Sequence, residues 1–248
     1  MRIPRFYCEV SLHDRKTLCL KGQPAHHLMR VLRRNIDDPI CLFDGHGGEY
    51  HATVKQTQRN SVELSIDSYS SDNHESPLQT HLGLALSKGE RMDWAIQKCT
   101  ELGINTITPL LTQRCDVKLH GERQERKIEH WQRVACSACE QCGRNRIPLI
   151  ASAVRLTDWL NSIDVDLSLV CHSEGSPMTS AAVDNDSVPK TLALLVGPEG
   201  GLTNDEIQIA QRAGFHLTRF GPRTLRTETA PVAVLSIAQF LWGDLNAR

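Results

Sequence analysis

Residues 191–202 read TLALLVGPEGGL, and few architectures accommodate such a segment. Residues 192–196 are apolar, partly branched and of strand length, which reads as a buried strand. The run stops at Gly197-Pro198, two strong breakers, and Gly200-Gly201 leave room for a ligand to approach the backbone closely. Thr203-Asn204-Asp205-Glu206 has the form of a capping box and opens a helix. Strand, glycine loop and helix N-terminus in succession is how α/β proteins build small-molecule sites. The pattern then returns: 216–220 is a short strand, and 221–230, GPRTLRTETA, is a second polar loop feeding a final helix. Two such loops at adjacent strand ends make one pocket. The spacing is neither Walker A nor Gly-x-Gly-x-x-Gly, and Gly-Pro and Gly-Gly are also ordinary turn formers, so the motif alone says only "ligand loop".

The chain around this segment has two grammars. From Thr80 strands and helices alternate, which implies a mostly parallel sheet. Strands are expected at 81–86, 106–111 and 167–171, with a polar loop over 176–189. Helices are expected at 91–102, 122–142 and 156–161. The first of these places Met92, Ala95, Ile96, Cys99 and Leu102 on one face and ends at Gly103. The final helix, 229–242, is apolar on nearly every side, so it reads as part core and part interface with a second copy; it is too short to span a bilayer. Residues 1–72 instead read as short strands at 5–8, 18–20, 40–43, 49–54 and 61–66, a small barrel or sandwich. One helix interrupts them at 25–34, with Pro24 suited to its first turn and Leu28, Val31 and Leu32 on one face. Residues 73–79, at the end of a polar, Ser-rich stretch, are the linker, and 80–248 form the second domain.

A chain of 248 residues with 23% charged residues and a net charge of −1 is an ordinary globular protein, so any nucleic-acid surface has to be a local patch. Nine cysteines, an odd number, with no apolar export signal at the N-terminus, place it in a reducing cytoplasm with free thiols. Cys136, Cys139 and Cys142 have overlapping Cys-x-x-Cys spacing, but they drift along one side of a helix with no fourth ligand in register; core packing is the expectation, with no metal. Four basic groups stand out: Arg30, Arg33 and Arg34; Arg144 and Arg146; Arg114, Lys118, Arg123, Arg126 and Lys127; and Arg223 with Arg226. Each alone is a solvated surface, and together they fit a localised RNA surface.

Five blocks taken in order make the chain similar to the RsmE family of SPOUT-class enzymes, the 16S ribosomal RNA uridine N3-methyltransferases. They are 27–33 (HLMRVLR), 88–103 (KGERMDWAIQKCTELG), 140–145 (EQCGRN), 197–201 (GPEGG) and 221–230. The resemblance implies an α/β protein: a small PUA-like RNA-binding β-barrel followed by a SPOUT domain with a deep trefoil knot. It implies a homodimer with S-adenosylmethionine (SAM) in the knot, and as substrate one uridine of the decoding region, within an assembled small subunit. Carried onto this sequence, the cofactor would be held by Cys171, His172, Val196, Gly197, Pro198, Glu199, Gly200, Gly201, Phe220, Gly221, Leu225, Arg226, Thr227, Thr229 and Ala230. RNA would be held by Arg30, Arg33, Arg34, Lys88, Arg91, Arg144 and Arg146, with Arg144 reaching the site from the other subunit. Arg226 is the expected cation for the uridine anion, with Glu228 and Glu199 as partners for Arg226 or the cofactor. Two other readings stay open on the residues alone: a non-catalytic RNA-binding assembly factor, and a nucleotide- or phosphate-dependent α/β enzyme.

Overall fold

The structure is a computed structural model and describes residues 3–115, 117, 119, 121–178 and 188–246. The chain divides into two compact units, Met1–Glu75 with Cys139–Ile147, and Ser76–Ala138 with Pro148–Arg248. Lys118 and residues 179–187 of the expected polar loop lie outside the described residues.

The first unit is a five-stranded sheet. Its strands are β1 (Arg5–Tyr7), β2 (Thr17–Lys21), β3 (Pro39–Phe43), β4 (Glu49–Gln58) and β5 (Ser61–Ser70), in the order β1-β3-β4-β5-β2. Alternation drives it: along β4 and β5, Tyr50, Ala52, Val54, Val62 and Leu64 face one core with Phe6, Leu28 and Leu42 while their neighbours face out. Both β4 and β5 run four residues past their apolar stretches, because they pair with each other from Glu49–Ser70 at one end to Gln58–Ser61 at the other.

The helix expected at 25–34 is shorter and differently wound. A single α-turn, α1 (Gln23–His26), with Pro24 in its first turn, passes into a π-helical turn over His27–Val31. The Leu32 amide bonds to the His27 carbonyl and the Arg34 amide to Leu28, and Arg33 closes the turn at φ +51°. The wider winding breaks the expected spacing. Leu28 is buried, Val31 and Leu32 are exposed, and the three arginines do not share one α-helical face.

Within residues 73–79, Glu75 is anchored in the first unit. Glu75 is buried with Arg144, whose Nε and Nη2 donate to Glu75 Oε2 at 3.0 and 2.6 Å. The other carboxylate oxygen accepts the amides of Asn145 and Arg146. Arg5 completes this anchor. It donates to Glu49, Cys41 Sγ, the carbonyls of Gly143 and Arg144, and Asn145, and lies 5.0 Å from the Phe43 ring centroid. These contacts seat residues 139–147 in the first unit.

The second unit is a seven-stranded parallel sheet in the order β12-β10-β11-β6-β7-β8, with β9 also on β7. Its strands are β6 (Gln79–Ala85), β7 (Thr106–Leu111), β8 (Leu149–Ile150), β9 (Val154–Arg155), β10 (Leu167–Pro177), β11 (Thr191–Val196) and β12 (His216–Arg219). The helices are α2 (Arg91–Glu101), α3 (Glu122–Cys142, whose last four residues count with the first unit), α4 (Leu156–Ser162), α5 (Asn204–Arg212) and α6 (Thr229–Trp242). On α2, Met92, Ala95, Ile96 and Cys99 are buried as their spacing predicts, whereas Leu102 is only half-buried. On α6, Val234, Leu235 and Ala238 are buried, while Phe240 and Ile237 are exposed. Gln239, fully buried, donates to the Leu102 carbonyl at 2.9 Å and accepts from Ser76 at 2.6 Å, tying α6 to the end of α2.

No helix among the described residues is long and apolar enough to cross a membrane. Nor does any group of three His, Cys, Asp or Glu side chains among them form a metal-holding cluster. Cys139 is core, and Cys136 and Cys142 are half-buried.

Candidate active site

Strands β10, β11 and β12 are adjacent and parallel, so their C-terminal ends open on one edge of the sheet, where open α/β sheets bind ligands. Three segments leave that edge and enclose a cleft of about 660 Å³, the size of a cofactor site.

The first segment is the glycine loop after β11. The buried run Leu192–Val196 ends at Gly197, and Gly201 takes φ +69° in a turn closed by its amide on the Pro198 carbonyl. The capping box is present: the Thr203 hydroxyl accepts the Glu206 amide, and Glu206 Oε2 accepts the Thr203 amide at 2.8 Å. Glu206 is buried, and its other oxygen accepts the Gln113 amide at 2.7 Å, so one side chain fixes both the start of α5 and the loop after β7. Arg114 pins the glycine loop from outside by donating to the Gly200 carbonyl at 2.8 Å.

The second segment is the end of β10. The strand does not stop at Cys171. It pairs with β12 again at Ser176 and Pro177 after a bulge in which Thr218 faces both Cys171 and Ser176. The bulge places Cys171, His172 and Ser173 on the cleft wall. Gly175 makes it possible, because a Cβ there would lie 2.4 Å from the Thr218 amide nitrogen. Burial pushes the Cys171 thiol up to about 12, so it stays protonated and is no nucleophile.

The third segment, 220–228, carries the charge. Arg226 extends into solvent, its side chain 81% exposed and 3.9 Å from Glu228 Oε1. Glu228 is largely buried, with Oε2 3.8 Å from Arg91 Nε and without a hydrogen bond. Arg91, at the start of α2, also pairs with Glu199 of the glycine loop, so the two loops share one cation.

Of the residues expected at a cofactor, Cys171, His172, Val196, Gly197, Pro198, Glu199, Gly201, Phe220, Gly221, Leu225, Arg226, Thr227 and Ala230 lie on this wall, together with Glu228. Gly200 does not, being turned toward Arg114, and Thr229 instead borders a neighbouring cleft. Sequence reasoning missed Ser173, Leu202, Thr218, Arg219, Arg223 and Thr224 as wall residues, and assigned Arg91 and Arg114 to RNA surfaces alone. Adjacency to the two loops was the only available signal for most of them. Among the expected RNA contacts Arg30, Arg33, Lys88 and Arg146 are exposed and Arg34 is half-buried. Arg144 is buried and paired with Glu75.

A parallel sheet with a cofactor-sized cleft at the C-terminal ends of its strands defines a ligand-binding α/β protein. An RNA methyltransferase domain matches residues 74–239, and an RNA methyltransferase PUA domain matches residues 20–67. The chain is 33% identical to the ribosomal RNA small subunit methyltransferase E of Buchnera aphidicola (from Schizaphis graminum), covering 99% of both chains. It superposes on a Legionella pneumophila methyltransferase solved with bound SAM with a TM-score of 0.92 at 37% identity, covering 99% of this chain and 100% of the other. The ribosomal RNA small subunit methyltransferase E of Neisseria gonorrhoeae, bound to S-adenosyl methionine, follows with a TM-score of 0.89 at 34% identity, covering 98% and 100%. The chain belongs to the ribosomal RNA small subunit methyltransferase E family.

Proposed function

We propose that this chain transfers a methyl group from SAM to N3 of one uridine in the decoding region of 16S ribosomal RNA. It acts as a homodimer on the assembled small subunit, with the 197–201 and 220–228 loops belonging to a trefoil knot. The observation that carries the reading is the cleft at the ends of β10, β11 and β12, in a chain that matches rRNA methyltransferases from end to end.

The wall suits such a cofactor. Val196, Leu202, Phe220 and Leu225 offer apolar surface to a flat base, and the glycine loop lets backbone come close. Glu228 Oε2, buried without a hydrogen bond and with Arg91 Nε only at ion-pair distance, 3.8 Å, has room for a closer donor, and with Glu199 it suits a positively charged ligand. The bound cofactor supplies an electrophilic methyl group on a sulfonium that is already a good leaving group.

The chain's own share is therefore positioning and electrostatics. Uracil N3 is a poor nucleophile while protonated. The N3 proton departs to solvent, and Arg226, an exposed cation beside the cleft, is the group assigned to stabilise the anion left behind, through a charge-assisted contact. Glu228 orients Arg226 from one side and is itself held by Arg91 from the other. Arg226→Ala is expected to keep SAM affinity and to lose about 100-fold or more in turnover, the scale for removing one anion-stabilising donor.

The test is methyl transfer itself: purified protein, SAM and small ribosomal subunits lacking the modification, then digestion and mass spectrometry of the nucleosides. One new 3-methyluridine per subunit is the expected result. SAM binding without that product would remove the uridine assignment. Absence of SAM binding would remove the cofactor as well.

A further inference from the structure

A second hollow, of about 650 Å³, adjoins the cofactor cleft and shares Arg91, Arg226 and Glu228 with it. Its other wall is the 88–90 loop and Trp94 on α2. Trp94 is 42% exposed, while Met92, Ala95 and Ile96 around it are buried. A single exposed apolar side chain needs no explanation on most surfaces. This one borders a hollow that holds three cations, Lys88, Arg91 and Arg226, against two carboxylates, Glu90 and Glu228. An aromatic face beside cations is the combination that receives a single-stranded nucleotide, the base on the ring and the phosphates on the charges.

We propose that this hollow seats the target nucleotide, with its pyrimidine base stacked on the indole of Trp94, its phosphate toward Lys88, and Arg226 turned to the base. The assignment rests on the methyl-transfer reading and adds the place of the substrate to it. A base taken out of its stack loses a few kcal/mol, and an aromatic platform restores part of that. The walls shared with the cofactor cleft keep a base held there beside the methyl donor. Arg226 then belongs to both hollows, which is where a residue answering the charge on the base has to be.

The test compares Trp94→Ala, Trp94→Leu and Trp94→Phe with wild type, measuring kcat and KM for unmodified small subunits, SAM affinity by calorimetry, and mass in solution. Trp94→Ala and Trp94→Leu are expected to lower kcat/KM for the subunit about 10- to 100-fold, the range for losing one stacked base. SAM affinity and mass in solution stay unchanged. Trp94→Phe, which keeps a π face, recovers most of the loss, and this separates stacking from apolar bulk. Wild-type rates in Trp94→Ala would overturn the assignment, as would Trp94→Phe performing no better than Trp94→Leu. A fall in SAM affinity or in assembled mass that accounts for the loss would overturn it too, giving Trp94 to the cofactor or to a subunit contact. These outcomes leave methyl transfer by the wild type standing; failure of wild-type transfer overturns the functional reading and this assignment together.

Discussion

Arg144 and Arg226 look alike in the sequence, each an arginine in a polar loop beside a helix end, and the structure separates them. Arg226 is solvated and lies 3.9 Å from Glu228 Oε1. Arg144 has a side chain 4% exposed and donates twice to a carboxylate 8% exposed. A buried pair is weak evidence of net stabilisation, but removing one partner strands the other charge. Arg144→Ala is therefore expected to destabilise the first unit by about 3–5 kcal/mol, read as a lowered denaturant midpoint. The double variant with Glu75→Gln recovers part of that loss. Arg146→Ala, at an exposed side chain a short step along the chain, changes stability by less than about 0.5 kcal/mol. Equal losses for the two arginines would contradict the buried-anchor account.

At the scale of elements, the end of β10 decides the shape of the cleft, and one glycine decides the end of β10. A methyl group at Gly175 collides with the β12 backbone at Leu217 and Thr218, so Gly175→Ala forces the two strands apart. About 1–3 kcal/mol of stability is expected to go, the cost of overpacking, and SAM affinity falls with it because Cys171–Ser173 line the wall; calorimetry on the variant reads both. α4 is held to the sheet differently. The Trp159 indole N–H donates to His81 Nε2 at 3.1 Å, with the Thr108 hydroxyl 2.8 Å from the same nitrogen, and burial pushes the ring down from 6.5 to about 4. The unfolded chain then binds the extra proton first. Stability contributed by this site is complete above pH 6.5 and lost as the pH falls toward 4. Denaturant midpoints at pH 7 and pH 5 should differ less in His81→Gln than in wild type. The elements that the sequence announced are those whose cause is local: the capping box at Thr203–Glu206, the apolar run of β11, and the 3.6-residue face of α2. What it concealed has a distant cause. The bulge of β10 depends on β12, and the burial of Glu75 depends on a partner 69 residues away. Both ligand loops were legible for the same local reason, and Trp94 was not, since an aromatic residue on an amphipathic helix carries no mark of the hollow beside it.

Over the whole molecule the net charge is −1, so attraction to a ribosomal surface cannot come from the overall field and rests on where individual cations stand. Exposed Arg30 and Arg33 lie in the first unit with Arg146, and Lys88 and Arg226 lie beside the clefts of the second. Each cation that neutralises a phosphate releases counterions, and the salt dependence of binding counts them. Replacing Arg30, Arg33 or Arg146 singly by Ala is expected to weaken binding to the small subunit across the salt range. Each also flattens the plot of log K against log salt concentration by roughly 0.7–0.9. The same replacement at a buried arginine leaves that slope where it was, because a guanidinium already neutralised by Glu75 displaces no counterions from RNA. Titration of labelled subunits over a range of salt therefore reads the RNA face of the protein directly. A slope unmoved by all three surface replacements would transfer that face from the first unit to the cations around the clefts of the second.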